Sequence, residues 1–182
     1  NKKLNKVAIL YSEDSVSPII TQQLINEVKN SEYENVFVKY SIKTIEDMIQ
    51  TSYLINEDKT IDAWIPIALS ILNEKNEKIL MSNTAKIMTS IINKPDLSLN
   101  ASFTEYGFFG GVSVDFYQMG YQAGLLVAKL LQGINIKELP IENTRNSYIA
   151  INFNRTLELN IQIPKNVLSK IDMLIEKHQK IY

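Results

Sequence analysis

Apolar and polar positions follow two rhythms along this chain. Val7 to Tyr11 is a short continuous apolar run, the pattern of a strand buried on both faces of a parallel sheet. Ser17-Pro18 then reads as an N-cap followed by a first helical residue, with Ile20, Leu24 and Val28 at helical spacing. Val36 to Tyr40 predicts a second strand. Thr44 with Asp47 forms a capping-box pattern ahead of a helix whose face carries Ile45, Met48, Ile49 and Tyr53. Asp62 to Pro66 predicts a third strand, with Trp64 in the core. Ile67 to Leu72 is apolar apart from Ser70, and Asn73 to Lys78 is a polar linker or loop tip.

Further on, a helix is expected from about Asn83 to Asn93, with Ile87, Met88, Ile91 and Ile92 inward. Leu97 to Phe103 alternates and reads as a strand, and Val112 to Val114 as a shorter one. The clearest helix starts after Asp115, with Gln118 at the third position of a capping box and apolar residues at 116, 119, 123, 126, 127, 130 and 131. Gly133 is its stop signal. Gly120 and Gly124 each cost this helix about 1 kcal/mol relative to alanine, so a close approach of the helix to a sheet is expected there. Ser147 to Phe153 alternates as a strand, Asn154 is a cap for a short helix, and Pro164 opens a last helix carrying Leu168, Ile171, Leu174 and Ile175. Five or six strands interleaved with helices predict an α/β fold, a doubly wound, mostly parallel sheet.

Composition narrows the function classes. The 182 residues are 45% apolar and 21% charged, an ordinary globular balance. Nineteen basic and twenty acidic side chains leave a net charge of −1, with no basic surplus to neutralise phosphates, so no nucleic-acid partner is expected. Cysteine is absent, which excludes disulfides, thiol catalysis and Cys-ligated metal. One histidine, His178, leaves no material for a Ser-His-Asp triad or a multi-histidine metal centre, and it reads as a solvated surface residue. No G-x-x-x-x-G-K-[ST] or G-x-G-x-x-G pattern is present, so a nucleotide phosphate site is disfavoured. No metal and no cofactor are expected. No run reaches the roughly 18 apolar residues of a membrane span.

Ligands of open parallel sheets bind beyond the carboxyl ends of the strands, which selects three loops. After the first strand, Ser12, Ser15 and Ser17, with free N–H groups at the helix start, can hold a carboxylate or another anion; helix capping accounts for one serine alone. After the third strand, Pro66 and Ala68 supply apolar shape. Around the next segment, Ser102 and Phe103 combine a hydroxyl with an aromatic ring, as small-molecule clefts do. Asp115 is either a helix cap or, with Glu105, half of a carboxylate pair for acid–base work.

The stretch Gly110-Gly111-Val112-Ser113-Val114-Asp115-Phe116-Tyr117-Gln118-Met119-Gly120-Tyr121-Gln122-Ala123-Gly124 is distinctive. It is followed by Leu139-Pro140-Ile141-Glu142, by Ile151-Asn152-Phe153-Asn154 and by Leu157 to Pro164. Together these resemble the ABC-transporter substrate-binding proteins of the tryptophan/tyrosine-uptake type, which have the type I periplasmic-binding-protein fold. The resemblance runs from about Val7 to Glu176 and is most specific in the C-terminal third. It implies an extracytoplasmic solute-binding module without catalysis, with a small-molecule ligand and a membrane permease, or a signalling partner if the domain is a sensor. A protein-interaction domain is the further alternative.

Family members are much longer. The resemblance therefore implies a chain equivalent to the second lobe, with residues 1–144 as the ligand-binding lobe and 145–182 as a segment that would normally rejoin the first. Most of the first lobe, and a signal segment, would then be absent. Residues from about Ser147 onward would need another cover, such as rearranged packing on this lobe or a homo-oligomer through 147–182. The ligand positions differ from the family pattern. Pro66 is followed by Ile67, Ala68 and Leu69 rather than a polar or acidic residue, and Gly120-Tyr121-Gln122 replaces Gly-Arg-Gln. A weakly charged or partly apolar ligand is the resulting expectation. Its contacts would be Ser12, Ser15, Ser17, Pro66, Ala68, Ser102, Phe103 and Asp115.

Overall fold

A computed structural model of the chain describes residues 4–144 and 146–176. The last helix expected from Pro164 through Ile175 lies within this range, whereas His178 falls outside the described residues. The first half is a parallel sheet in the order β2-β1-β3, made of β1 (Lys6–Ser12), β2 (Phe37–Ile42) and β3 (Ile61–Ile67). Val7 and Ile9 point to one face and Ala8 and Leu10 to the other, and all four are buried. The continuous apolar run of β1 is thus used on both sides, as a central parallel strand requires. Helix α1 (Ser17–Glu27) covers one face through Ile20, Leu24 and Ile25. Helices α2 (Ile45–Glu57) and α3 (Met81–Ile91) cover the other, burying Met48, Ile55, Ala85 and Met88.

The capping box of α2 is complete. Thr44 Oγ1 accepts from Asp47 N at 3.1 Å, and Asp47 Oδ2 accepts from Thr44 N at 2.9 Å. The buried stripe of α2 is Met48, Ser52 and Ile55, while Tyr53 is exposed. The stripe is rotated from the expected one because Ser52 satisfies its hydroxyl on Met48 O and can therefore be buried.

Leu97–Phe103 is not a strand. Residues 95–97 make a single bridge to Trp64, and the chain then turns into α4 (Ala101–Glu105), capped by Asn100, whose Oδ1 accepts from Ser102 N at 3.1 Å. A side chain with a distant partner overrides the alternation. Asp96 is fully buried, and its Oδ1 accepts from Phe109 N at 2.7 Å.

This Asp96 segment is the seam to a second, mixed sheet in the order β4-β5-β6: β4 (Gly110–Val114), β5 (Ser147–Asn152) and β6 (Met173–Ile175). Ser98 N donates to Gly110 O at 3.0 Å, and Asn152 N donates to Phe109 O at 2.9 Å. β4 and β5 are antiparallel, and β5 and β6 parallel. The expected last helix therefore stops after α7 (Lys165–Leu168), because Met173–Ile175 pairs with Ala150–Asn152. The short helix before it, α6 (Phe153–Glu158), is capped by Asn152 rather than Asn154. Ala150, Ile151 and Asn152 are buried, and Asn152 Nδ2 donates to Thr104 O at 3.1 Å.

Helix α5 (Phe116–Leu131) forms where expected, with Asp115 Oδ1 accepting from Gln118 N at 3.0 Å, but buries no residue. Phe116, Tyr117 and Leu131 are more than half exposed. Among the described residues nothing lies within 4 Å of a Cβ built at Gly120 or Gly124. The close approach expected at these glycines does not occur among the described residues.

Candidate functional site

The strand order β2-β1-β3 places a topological switch between β1 and β3, where chains leave the sheet in opposite directions and open a crevice at its carboxyl edge. Three of the expected residues meet there. Ser12 ends β1 and is buried, as is Ser17 at the start of α1. Their hydroxyl oxygens lie 3.2 Å apart. Both reach the carbonyl of Ala68 just past β3, Ser17 at 3.3 Å. Ala68 has a φ of +39°, in the left-handed region that a non-glycine residue adopts only when its surroundings hold it. The two hydroxyls, together with Ser70 N donating to Ser12 Oγ at 3.2 Å, are that hold.

Asp14 completes the network. Its Oδ2 stands 2.6 Å from Ser12 Oγ and 2.7 Å from Ser17 Oγ, and its Oδ1 accepts from Val16 N at 2.8 Å and Ser17 N at 2.7 Å. Two hydroxyl protons are thus shared between a carboxylate and the Ala68 carbonyl. Burial pushes the Asp14 carboxyl up, but the Ser12 hydroxyl, the Ser17 N–H and hydroxyl and the Val16 N–H outweigh it. They hold Asp14 ionised, well below the usual carboxylate range.

The cap of α1 is therefore not Ser17, which is the first helical residue. The N-cap position is Val16, and Asp14 does the capping from two residues upstream. Nor is the first turn an open anion seat. Val16 N and Ser17 N go to Asp14, Pro18 has no N–H, and Ile19 N and Ile20 N both donate to Val16 O. Sequence reasoning passed over Asp14. Its signal was an aspartate three residues ahead of Ser17-Pro18, the Asx reach that competes with serine as a cap.

Two clefts open at this end. The first, about 340 Å³, is lined by Pro66, Ala68 and Phe103, with Ile20, Met81 and Leu99 adding apolar wall. The second, about 330 Å³, is lined by Ser102 and Asp115 together with Glu105, Tyr117 and Tyr148. Asn100 belongs to both. Ser15 is exposed on the loop and lines neither. Among the described residues no basic side chain lines either cleft, and the charged groups there are Glu105 and Asp115. Cleft lining of this kind offers apolar surface, ring faces and a few amide and hydroxyl groups that can donate or accept hydrogen bonds. No group of three or more potential metal ligands occurs among the described residues.

Comparisons with known proteins agree with this architecture. A curated relative, the tyrosine-binding protein of Clostridioides difficile, is 22% identical over 169 residues, which cover 88% of this chain and 44% of that protein. The ligand-free, open structure of a Clostridium difficile substrate-binding protein with adhesive properties superposes with a TM-score of 0.70 at 18% identity. That match covers 96% of this chain and 56% of the other. An ABC domain from Streptococcus pneumonia in complex with L-Trp gives 0.64 at 19% identity, over 94% and 55%. The chain spans about half the length of these relatives. The family model described as ABC transporter substrate binding protein matches residues 3–175, nearly the whole chain, and the chain belongs to that family.

Proposed function

We propose that this chain is the solute-binding lobe of an ABC-type uptake protein that works outside the cytoplasm, binds without catalysis and passes its ligand to a membrane permease. The observation that carries the reading is the first cleft. It lies at the switch point of the parallel sheet, where ligands of such sheets bind, and its wall at Ala68 is held in a strained conformation by a dedicated network. Family membership supports the same use of the site. At about 340 Å³ the cleft matches the lower end of small-molecule sites.

The relatives named for tyrosine and bound to L-Trp make an aromatic amino acid the first ligand to test. The apolar wall of Pro66, Ile20, Met81 and Phe103 suits the ring, and Asn100 and Ser70 supply the few polar contacts. Amide chemical shifts of the labelled protein would be followed during titration with L-tyrosine and L-tryptophan. Saturable shifts are expected at Ala68, Ser70 and Phe103 and not at Leu131. With one wall of contacts the affinity should be weak, on the order of 0.1–1 mM. No saturable shift at those residues up to roughly tenfold higher concentration would rule the reading out.

A further inference from the structure

We infer that Asp14 is a resident carboxylate that fills the anion seat at the start of α1 and so makes this lobe turn away carboxylates and accept the cationic or uncharged end of a ligand. The inference rests on the solute-binding reading of the first cleft and adds the sign of the charge that the cleft tolerates.

Three observations meet here. The first turn of α1 would offer N–H groups to an anion, but Asp14 takes those of Val16 and Ser17, Pro18 has none, and Ile19 and Ile20 bond to Val16 O. The nearby hydroxyls of Ser12 and Ser17 are occupied too, between Asp14 Oδ2 and Ala68 O. Ala68 and Ser70 are at once part of that network and part of the cleft wall, so Asp14 stands directly behind the surface a ligand meets.

The third observation is the lining. Neither cleft carries a basic side chain among the described residues, and the second adds Glu105 and Asp115. An incoming carboxylate would find the N–H groups at the start of α1 taken, and in the second cleft it would face Glu105 and Asp115. An ammonium would find acceptors, and the ring faces of Tyr117 and Tyr148 in the neighbouring cleft. A zwitterionic ligand would then lie with its ammonium or its ring on this lobe and its carboxylate pointing away.

The test uses two probes with one body, tyramine and 3-(4-hydroxyphenyl)propionate, titrated into the labelled protein and two variants. Asp14→Asn keeps an acceptor for Val16 N and Ser17 N without the charge; Asp14→Ala opens the seat. The unaltered protein is expected to prefer the amine by about tenfold or more, since opposed like charges are strongly disfavoured. Asp14→Asn should narrow the preference, and Asp14→Ala should bind the acid more tightly than the unaltered protein does. Acetate should raise the melting temperature of Asp14→Ala and leave that of the unaltered protein unchanged, a response that a purely structural cap would not give. Equal binding of both probes by the unaltered protein, or an unchanged preference in both variants, overturns the inference while leaving the solute-binding reading standing. Shifts at Ala68, Ser70 and Phe103 with neither probe overturn both.

Discussion

The two halves of this molecule use apolar surface in opposite ways. In the β2-β1-β3 half, both faces of the sheet are covered by helices of the same chain. Trp64 is fully buried, stands edge-on to Phe108 at 5.5 Å between ring centroids, and donates Nε1–H to Lys94 O at 3.1 Å. In the other half, α5 carries a longer apolar stripe and buries none of it. Both patterns look alike when written as hydrophobic periodicity. Periodicity reports that a face wants to be covered, and says nothing of whether the covering element belongs to the same chain. A chain that spans about half of its relatives' length is where this distinction becomes visible.

The largest expected effect would sharpen that contrast. Trp64→Ala removes a fully buried ring with a T-shaped neighbour and should cost roughly 3–5 kcal/mol in urea denaturation. Phe116→Ala or Leu131→Ala removes side chains 61% and 84% exposed. Each should change stability by less than about 0.5 kcal/mol. A cost for Leu131→Ala comparable to that of Trp64→Ala would mean that α5 is covered in solution.

The second effect lies on the seam between the halves. Asp96 is fully buried and ties the edge of the first sheet to the start of β4 through Phe109 N, Ser98 Oγ and Gly110 N. Burial pushes its carboxyl up to about 6, against the pull of those three donors and the Arg155 charge. A folded value above the unfolded 3.8 means that the folded state binds this proton more tightly. The contribution is therefore fully present below about pH 4 and is lost as pH rises through about 6. The loss amounts to roughly 3 kcal/mol between those limits. Asp14, Asp47 and Asp58, all held below their ordinary values, act in the opposite direction. The clean readout is the stability difference between the unaltered protein and Asp96→Asn from pH 4 to 7. It should shift against the unaltered protein between about pH 4 and 6 and level off above that; a flat difference throughout would show that Asp96 titrates normally.

What the sequence disclosed and what it hid divide along the same line. β1 and β3 could be read because a strand buried on both faces needs a continuous apolar run, and few other structures do. The α2 cap could be read because both partners lie within three residues. Errors came wherever the deciding partner is remote. Leu97–Phe103 alternates, yet Asp96 is committed to Phe109 and Gly110 and the chain turns into α4. Met173–Ile175 continues a helical spacing, yet it pairs with β5. At the candidate site, Ser12, Ser17 and Ala68 were within reach because the switch-point rule selects loops. The role of Asp14 was hidden because its meaning depends on Ser12 and Ser17 facing it with Ala68 behind them.

Glycines offer the finest test of the contrast. Gly110 has a φ of +120°, and a Cβ there would stand 2.1 Å from Ala150 O, backbone that cannot give way without breaking the β4–β5 pairing. Gly110→Ala should cost about 2 kcal/mol or more. Gly120 and Gly124 sit inside α5 with nothing within 4 Å of the added methyl. Alanine at either should stabilise this chain by up to about 1 kcal/mol, through helix propensity and a less disordered unfolded state. The double variant should approach the sum, since no described residue outside the helix lies within 4 Å of either added methyl. Thermal and urea unfolding of Gly120→Ala, Gly124→Ala and the pair would decide the matter. A destabilised variant would place a close neighbour against this helix face, and the two halves would no longer differ in kind. Stabilisation would show that these glycines relieve no crowding within this chain, which leaves a surface outside it as the reason for their smallness.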